Sequence, residues 1–314
     1  MTPLDRLARN DSAADPAPAG RALRAAYFNR VPNVGDMVTP LVLAAVTGCP
    51  ARHVADRSKP HILSVGSVMA WATPASQIWG AGVIDPEGGT GRARKRNVHA
   101  VRGPLSHRAI RRDGLALGDV PFGDPGFLAP ALLGVGRPDS PWRPVGLVCH
   151  YLDRDHPTLR RMMTEPGVAD LDVREAPEVF LARMAGCAAV VSTSLHGLIF
   201  AEALGIPNLW VKAGDRLIGG EFKFADWFAT TARPQSRPHV LASGDTALAL
   251  GARAELRESL IDRRALTAAF PFHALEELQA EQAAWETDAE PSGPGVLGRA
   301  RGMMAKLANR VRSR

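Results

Sequence analysis

Residues 190–210 read VVSTSLHGLIFAEALGIPNLW, and within them the apolar pattern changes period at a cluster of hydroxyls and one histidine. Residues 188–191 (AAVV) form a continuous apolar run, as in a parallel strand buried on both faces. Ser192, Thr193 and Ser194 interrupt it. From Leu195 the residues Leu198, Ile199, Ala201 and Leu204 recur at helical spacing, and Gly205 followed by Pro207 is a stop signal. A second strand then runs to Trp210. The order strand, turn, helix, strand gives an α/β fold with a parallel sheet.

His196 falls in the first turn of that helix. A loop at the carboxyl end of a parallel strand and the amino end of a helix offers free N–H groups and a positive dipole end, which together bind anions. With three hydroxyls beside it and an imidazole at its mouth, the turn reads as a phosphate or carboxylate site with an acid/base group in reach. Ser/Thr clusters are also ordinary helix caps; the strand-end position favours the site.

At 314 residues and 46% hydrophobic, the chain is long enough for two α/β domains. The expected division is a disordered leader at 1–20, an N-terminal domain at 21–138, a C-terminal domain at 139–255, a helical extension at 256–290 and a basic tail at 291–314. Residues 134–144 (GVGRPDSPWRP) break every periodicity and serve as the linker. The absence of a run of about 18 apolar residues or a signal-peptide core leads to a cytoplasmic expectation. Cys49, Cys149 and Cys187 are too widely spaced for a metal motif, and the histidines show no paired ligand spacing, so no metal is expected. His150, Asp153 and His156 read as a turn.

The net charge of +6 sits in the tail, where Arg299, Arg301, Lys306, Arg310, Arg312 and Arg314 occur without an acid. The remainder holds 32 basic and 32 acidic residues, and with aromatics at 6% a nucleic-acid-binding body is excluded. Val296, Met303, Met304, Leu307 and Val311 among those cations give a basic C-terminal helix suited to peripheral contact with the anionic inner face of the plasma membrane.

Along the first domain, a strand at 24–29 leads into a helix at 38–46, with Asp36 as its N-cap. Runs 61–67 (HILSVGS) and 77–83 (QIWGAGV) read as buried strands, with Ser64, Gly66 and Ser67 facing a cleft. The loop at 85–97 carries Arg92, Arg94, Lys95 and Arg96, a solvated face or one that meets an anionic substrate. Arg102 stands at the next strand-to-helix corner, able to fork onto a carboxylate or phosphate or to make a surface ion pair. Asp124 reads as a cap for 127–133. Residues 246–288 read as largely helical, and no internal repeat is visible beyond the βα alternation.

The spaced set Asn33-x-Gly35-Asp36, Trp79-Gly-Ala-Gly82, Val101-Arg-Gly-Pro-Leu-Ser106, Asp124-Pro125, Ser192-Thr-Ser-Leu-His-Gly197 and Phe222-Lys-x-x-Asp-Trp-Phe228 resembles the polysaccharide pyruvyltransferase family over about residues 25–228. The resemblance implies two Rossmann-like domains whose parallel sheets face a cleft, a glycosyltransferase-B-like fold. It implies transfer of the enolpyruvyl group of phosphoenolpyruvate to sugar hydroxyls of an exopolysaccharide or cell-surface glycan, free or lipid-linked, leaving a ketal and inorganic phosphate. Phosphoenolpyruvate is then a co-substrate and no cofactor is implied. His196 matches the family's catalytic histidine and Arg102 a catalytic, donor-binding arginine; Ser194, Leu195, Gly197 and Lys223 complete the donor site. Asn33 and Asp36 are placed on the acceptor. Some members carry Arg where this chain has Ser194, so the charge on the donor phosphate falls to Lys223 or to the loop at 92–96. A nucleotide-sugar glycosyltransferase is the rival in the same fold, since Glu202 followed by ALGIP resembles its sugar-nucleotide-binding end. A non-catalytic glycan-binding module is the third reading.

Overall fold

The computed structural model describes residues 21–139, 144–217 and 219–281. The expected leader and basic tail lie outside the described residues, as do parts of the expected linker and extension.

Two sheets organise the chain. The first holds β1 (Arg21–Ala25), β2 (Ala51–His53), β3 (His61–Leu63), β4 (Ser76–Trp79) and β5 (Val98–Ala100). The second holds β6 (Val145–Val148), β7 (Val168–Asp170), β8 (Ala189–Ser192), β9 (Asn208–Lys212) and β10 (His239–Val240). Every pairing among these strands is parallel. The first sheet runs β2-β1-β3-β4-β5 and the second β7-β6-β8-β9-β10. Both therefore have the doubly wound order 2-1-3-4-5, a repeat that the sequence pattern hides. In such a sheet the winding reverses between its first and third strands, which opens a crevice at their carboxyl ends. A last strand, β11 (Gln279–Glu281), brings the chain back antiparallel onto β1, with Ala280 opposite Ala22.

The helices that build the site are α1 (Val34–Met37), α2 (Thr39–Thr47), α3 (Pro104–Arg112), α4 (Pro177–Ala185), α5 (Leu195–Ala203) and α6 (Phe222–Phe228). Strand β8 is buried at all four positions and α5 at all but its last, so this stretch is apolar all round because nothing around it is solvent. Gly205 closes α5 region with φ +66, a conformation that favours glycine.

Three sequence expectations change. The first strand begins at Arg21 and ends at Ala25, where pairing with β2 and β11 fixes it. The cap of the first helix is Asn33, whose side chain accepts from Gly35 N–H, while Asp36 lies inside α1. The described part of the stretch expected to be largely helical, residues 246–281, is not continuous helix: short helices at Ala247–Gly251, Arg263–Ala268 and Leu275–Leu278 are followed by β11. That segment folds back on the first sheet, where Trp79 Nε1 donates to Leu266 O at 2.7 Å and Phe270 meets the Trp79 ring edge-on.

The two halves share one core. Val34, Val38, Phe127 and Leu128 from the first pack in the same cluster as Phe180, Leu198, Phe200 and Trp227 from the second. Val34 N–H also donates to Val173 O at 2.6 Å. Among the described residues no helix is long and apolar enough to cross a membrane. A shared core predicts one cooperative unfolding transition, with tryptophan fluorescence and far-ultraviolet circular dichroism superimposing in urea. Trp227→Ala should lower stability by about 3–5 kcal/mol at unchanged m-value; two separated transitions would show that the halves fold apart.

Candidate active site

His196, shortly after β8 of the second sheet, packs on backbone that follows strands of the first. A Cβ built on Gly35 would lie 1.9 Å from His196 Nδ1 and 2.3 Å from Cγ, so the imidazole rests on bare backbone of the other half. Gly35 follows β1 and Gly66 follows β3, the two strands that flank the first crevice. His196 is the second residue of α5, as its sequence position implied. Its Nε2 is buried and makes no hydrogen bond, standing 3.7 Å from Asp124 Oδ2. That gap exceeds a hydrogen bond.

Two carboxylates from the first half face this ring. Asp124 is fully enclosed; Oδ1 accepts Gly126 N–H at 2.9 Å and Oδ2 accepts Gly66 N–H at 3.0 Å. It caps the turn Pro125–Leu128, as the sequence suggested, and it also holds the loop beside His196. Asp36 is buried nearby: a Cβ on Gly66 would lie 3.5 Å from Asp36 Oδ1 and 3.7 Å from His196 Cε1. Burial pushes the Asp36 carboxyl up to about 7, with Asp124 adding repulsion, against the pull of His196, Lys223 and the Asn33 side chain. It is therefore partly protonated near neutrality.

The second half supplies the crevice between β6 and β8. His150, just after β6, donates its backbone N–H to Thr193 Oγ1 at 2.8 Å, closing the two strand ends together. Its Nδ1 accepts from Leu152 N–H, and burial, reinforced by Lys223 and His196, pushes its value down to about 3, so the ring stays neutral. Tyr151 stacks on it with centroids 4.3 Å apart. Ser194 is the N-cap of α5 but its hydroxyl makes no capping bond, which leaves the first-turn N–H groups of Leu195, His196 and Gly197 without a side-chain cap. Lys223, on α6, is half-buried and makes no hydrogen bond or ion pair among the described residues. Burial and then Arg102 lower its ammonium to about 8, while Asp36 and Asp153 pull the other way.

Arg102 departs from the sequence expectation. It is fully buried, its Nε donating to Asp226 Oδ2 at 2.9 Å, Nη1 to Ser67 Oγ at 2.5 Å and Nη2 to Val83 O at 2.7 Å. In this arrangement the guanidinium serves protein acceptors, and Ser67, expected to face a cleft, is one of them. The loop at 92–96 also lies elsewhere. Arg92, Arg94 and Arg96 line a cavity of 1140 Å³ with Arg57, Asn97 and His273. That cavity is at the amino ends of β3, β4 and β5, whereas His196 meets the carboxyl ends, so the basic loop does not lie on the His196 side. Glu202 points into the core, where its Oε2 accepts from Trp227 Nε1 at 2.9 Å and burial pushes its carboxyl up to about 7. Of the pair placed on the acceptor, Asn33 serves as the α1 cap and Asp36 faces the imidazole.

Against known sequences, the chain matches the family model for polysaccharide pyruvyl transferase over residues 79–213, which include Trp79-Gly-Ala-Gly82, Arg102, Asp124 and His196. This chain belongs to the polysaccharide pyruvyl transferase family. It is accordingly a transferase. It is 30% identical over 215 residues to an uncharacterized protein of Acanthamoeba polyphaga mimivirus, covering 65% of this chain and 72% of that protein. A crystal structure of a functionally uncharacterized protein from Klebsiella pneumoniae aligns over 70% of this chain and 93% of that one, with 10% identity and a TM-score of 0.39.

The transferase carries a pH signature at Asp36. Its carboxyl value in the fold, about 7, lies above the ordinary 3.8, so the folded state holds a proton that the unfolded chain releases between those values. Stability from this group is therefore lost as pH rises through that window. Asp36→Asn removes the penalty, and its melting temperature relative to the native protein should climb from pH 4 to pH 8. A constant difference across that range would place Asp36 in solvent. Gly35→Ala should abolish turnover by displacing the imidazole, since its Cβ would sit 1.9 Å from Nδ1.

Proposed function

We propose that this transferase moves the enolpyruvyl group of phosphoenolpyruvate onto sugar hydroxyls of a cell-surface or secreted glycan, with His196 as general acid/base. The observation that carries the reading is Lys223, a half-buried cation with no hydrogen bond or ion pair among the described residues, whose Nζ lies 5.6 Å from the Phe224 ring and whose charge is felt by Asp36 and His150, in a site that also holds the uncapped start of α5. An ammonium in that state is stabilised by an anion, and the helix start adds N–H donors and a favourable dipole. A small, multiply charged anion with a carboxylate and a phosphate satisfies both. The two sheets meeting at their carboxyl ends support a glycosyltransferase-B-type arrangement, with donor held by the second half and acceptor by the first.

The chemistry then follows from the side chains. The donor's methylene carbon gains a proton from His196 and becomes a methyl group, and the neighbouring carbon becomes oxocarbenium-like. A sugar hydroxyl adds there and gives up its proton; Asp36, its value near neutrality, is the base that receives it. A second hydroxyl displaces phosphate, closing the ketal; its proton goes to His196, restoring the acid, and the proton held by Asp36 leaves with the phosphate. Asp124, 3.7 Å from Nε2, steadies the charge that His196 carries between steps. The nucleotide-sugar reading fits less well, because Glu202, the acid it needs, is enclosed against Trp227.

His196→Gln should keep the fold and most donor affinity, read as the melting shift given by phosphoenolpyruvate, yet lose turnover by about a hundredfold or more. Near-normal turnover would reassign the acid to Asp36, since Asp226 is ion-paired with Arg102 and Glu221 with Lys212. Lys223→Ala should instead lose donor binding. Because Lys223 must be a cation to hold the donor and its value is about 8, donor affinity should be flat below that pH and fall about tenfold per unit above it. A melting shift with nucleotide sugars and none with phosphoenolpyruvate would favour the glycosyltransferase instead.

A further inference from the structure

The buried pair of Arg102 and Asp226 joins the halves across 124 residues of sequence. Arg102 follows β5 in the first half; Asp226 lies on α6 in the second. Asp226 is held from several directions: Oδ1 accepts Ser106 N–H at 2.8 Å, and Oδ2 accepts both Arg102 Nε at 2.9 Å and the Ser106 hydroxyl at 2.6 Å. The Ser106 oxygen also accepts Val83 N–H at 2.9 Å, and Val83 O takes Arg102 Nη2. Gly103 makes room, since a Cβ there would lie 2.2 Å from Asp226 O. Helix α6 has only seven residues, too short to hold its own shape and aim, and Lys223 precedes Asp226 on it by three positions, one turn.

We propose that Asp226 is a positioning residue for the donor site: clamped by Arg102 and Ser106, it fixes the short helix that presents Lys223 to the donor and balances the charge of Arg102 beside that ammonium. The proposal rests on the reading of Lys223 as the donor's cation. The groups facing Lys223 are Arg102 from the corner after β5, Asp36 from α1, and His150 and Asp153 from the loop after β6. Glu221, its neighbour on the chain, is engaged with Lys212 at 2.9 Å. Arg102 is the cation of the set that opposes the Lys223 charge, and Asp226 is its counter-ion.

A clamp of this kind and a purely architectural contact predict opposite signs. Neutralising Asp226 leaves the Arg102 charge uncompensated beside Lys223, which should release its proton more readily; replacing Arg102 by a neutral side chain removes the opposition. An architectural contact would loosen α6 in both variants, let water in, and return Lys223 toward its ordinary value in both.

The test uses the full chain. Trace acetylation with acetic anhydride from about pH 6 to about pH 11, with peptide mass spectrometry, reads the Lys223 titration without any substrate. Asp226→Asn should move the midpoint down by about one unit and Arg102→Met should move it up by about one, while Asp226→Glu restores it. Movement of both variants in the same direction, or of neither, overturns the proposal. Ser106→Ala, which keeps both charges and guards against a misfolded Asp226→Asn, should leave the midpoint in place and weaken phosphoenolpyruvate binding about tenfold; native binding in that variant also overturns it. If the native protein gives no melting shift with phosphoenolpyruvate while the midpoints move oppositely, the donor reading fails and the coupling of Asp226 to Lys223 through Arg102 stands.

Discussion

Everything at the junction depends on backbone left bare by glycine. His196 rests on Gly35, the Arg102 guanidinium on Gly82, and the backbone of Asp226 on Gly103, where built Cβ atoms would stand 1.9, 2.1 and 2.2 Å from their neighbours. At Gly103 the neighbour is backbone, and at Gly35 and Gly82 the imidazole or guanidinium would have to leave its place. The three glycines belong to three of the sequence motifs, and the group packed on each comes from a different motif: His196 on Gly35, Arg102 on Gly82 and Asp226 on Gly103. With the gap filled by side chain on backbone, water is excluded, and charges at the seam act through a medium that screens them weakly.

In that seam three aspartates meet three different fates. Asp226 has a guanidinium and a serine; Asp124 has two backbone N–H groups; Asp36 has no full complement of donors. Identical side chains are thereby left in separate states, one holding a helix, one holding a loop beside an imidazole, one with its value raised to about 7. The neutral His150 completes the set by filling space beside Lys223 without adding a charge.

How much of this the sequence disclosed depends on how local each feature is. The β8–α5 unit was legible because burial on every side leaves a continuous apolar run, broken by hydroxyls at the turn, and His196 fell where the helix began. The cap was legible as a class only: Asn33 and Asp36 are both capping residues, and the break of α1 from α2 at Val38 decided for Asn33. Arg102 was placed at its corner correctly, yet its partner is 124 residues away and left no mark nearby. Strands β10 and β11, of two and three residues, are too short to show a period. The position of the basic loop could have been read: it precedes a strand and so lies at the amino end, while Arg102 follows the same strand and lies at the other.

Closure of the two halves is what brings the values of two ionisable groups at the junction, Lys223 and Asp36, into one range. Exposed, a lysine and an aspartate have ordinary values of 10.5 and 3.8, and a proton stays on the amine across all of neutrality. At the junction burial penalises both charged forms at once, moving Lys223 down to about 8 and Asp36 up to about 7. The two groups then differ by little, so small changes in local charge can decide which of them is charged. An anion beside the pair would favour the ammonium and disfavour the carboxylate, and a cation would do the reverse. The same desolvation that makes the junction costly thus leaves the protonation of both groups open to a neighbouring charge.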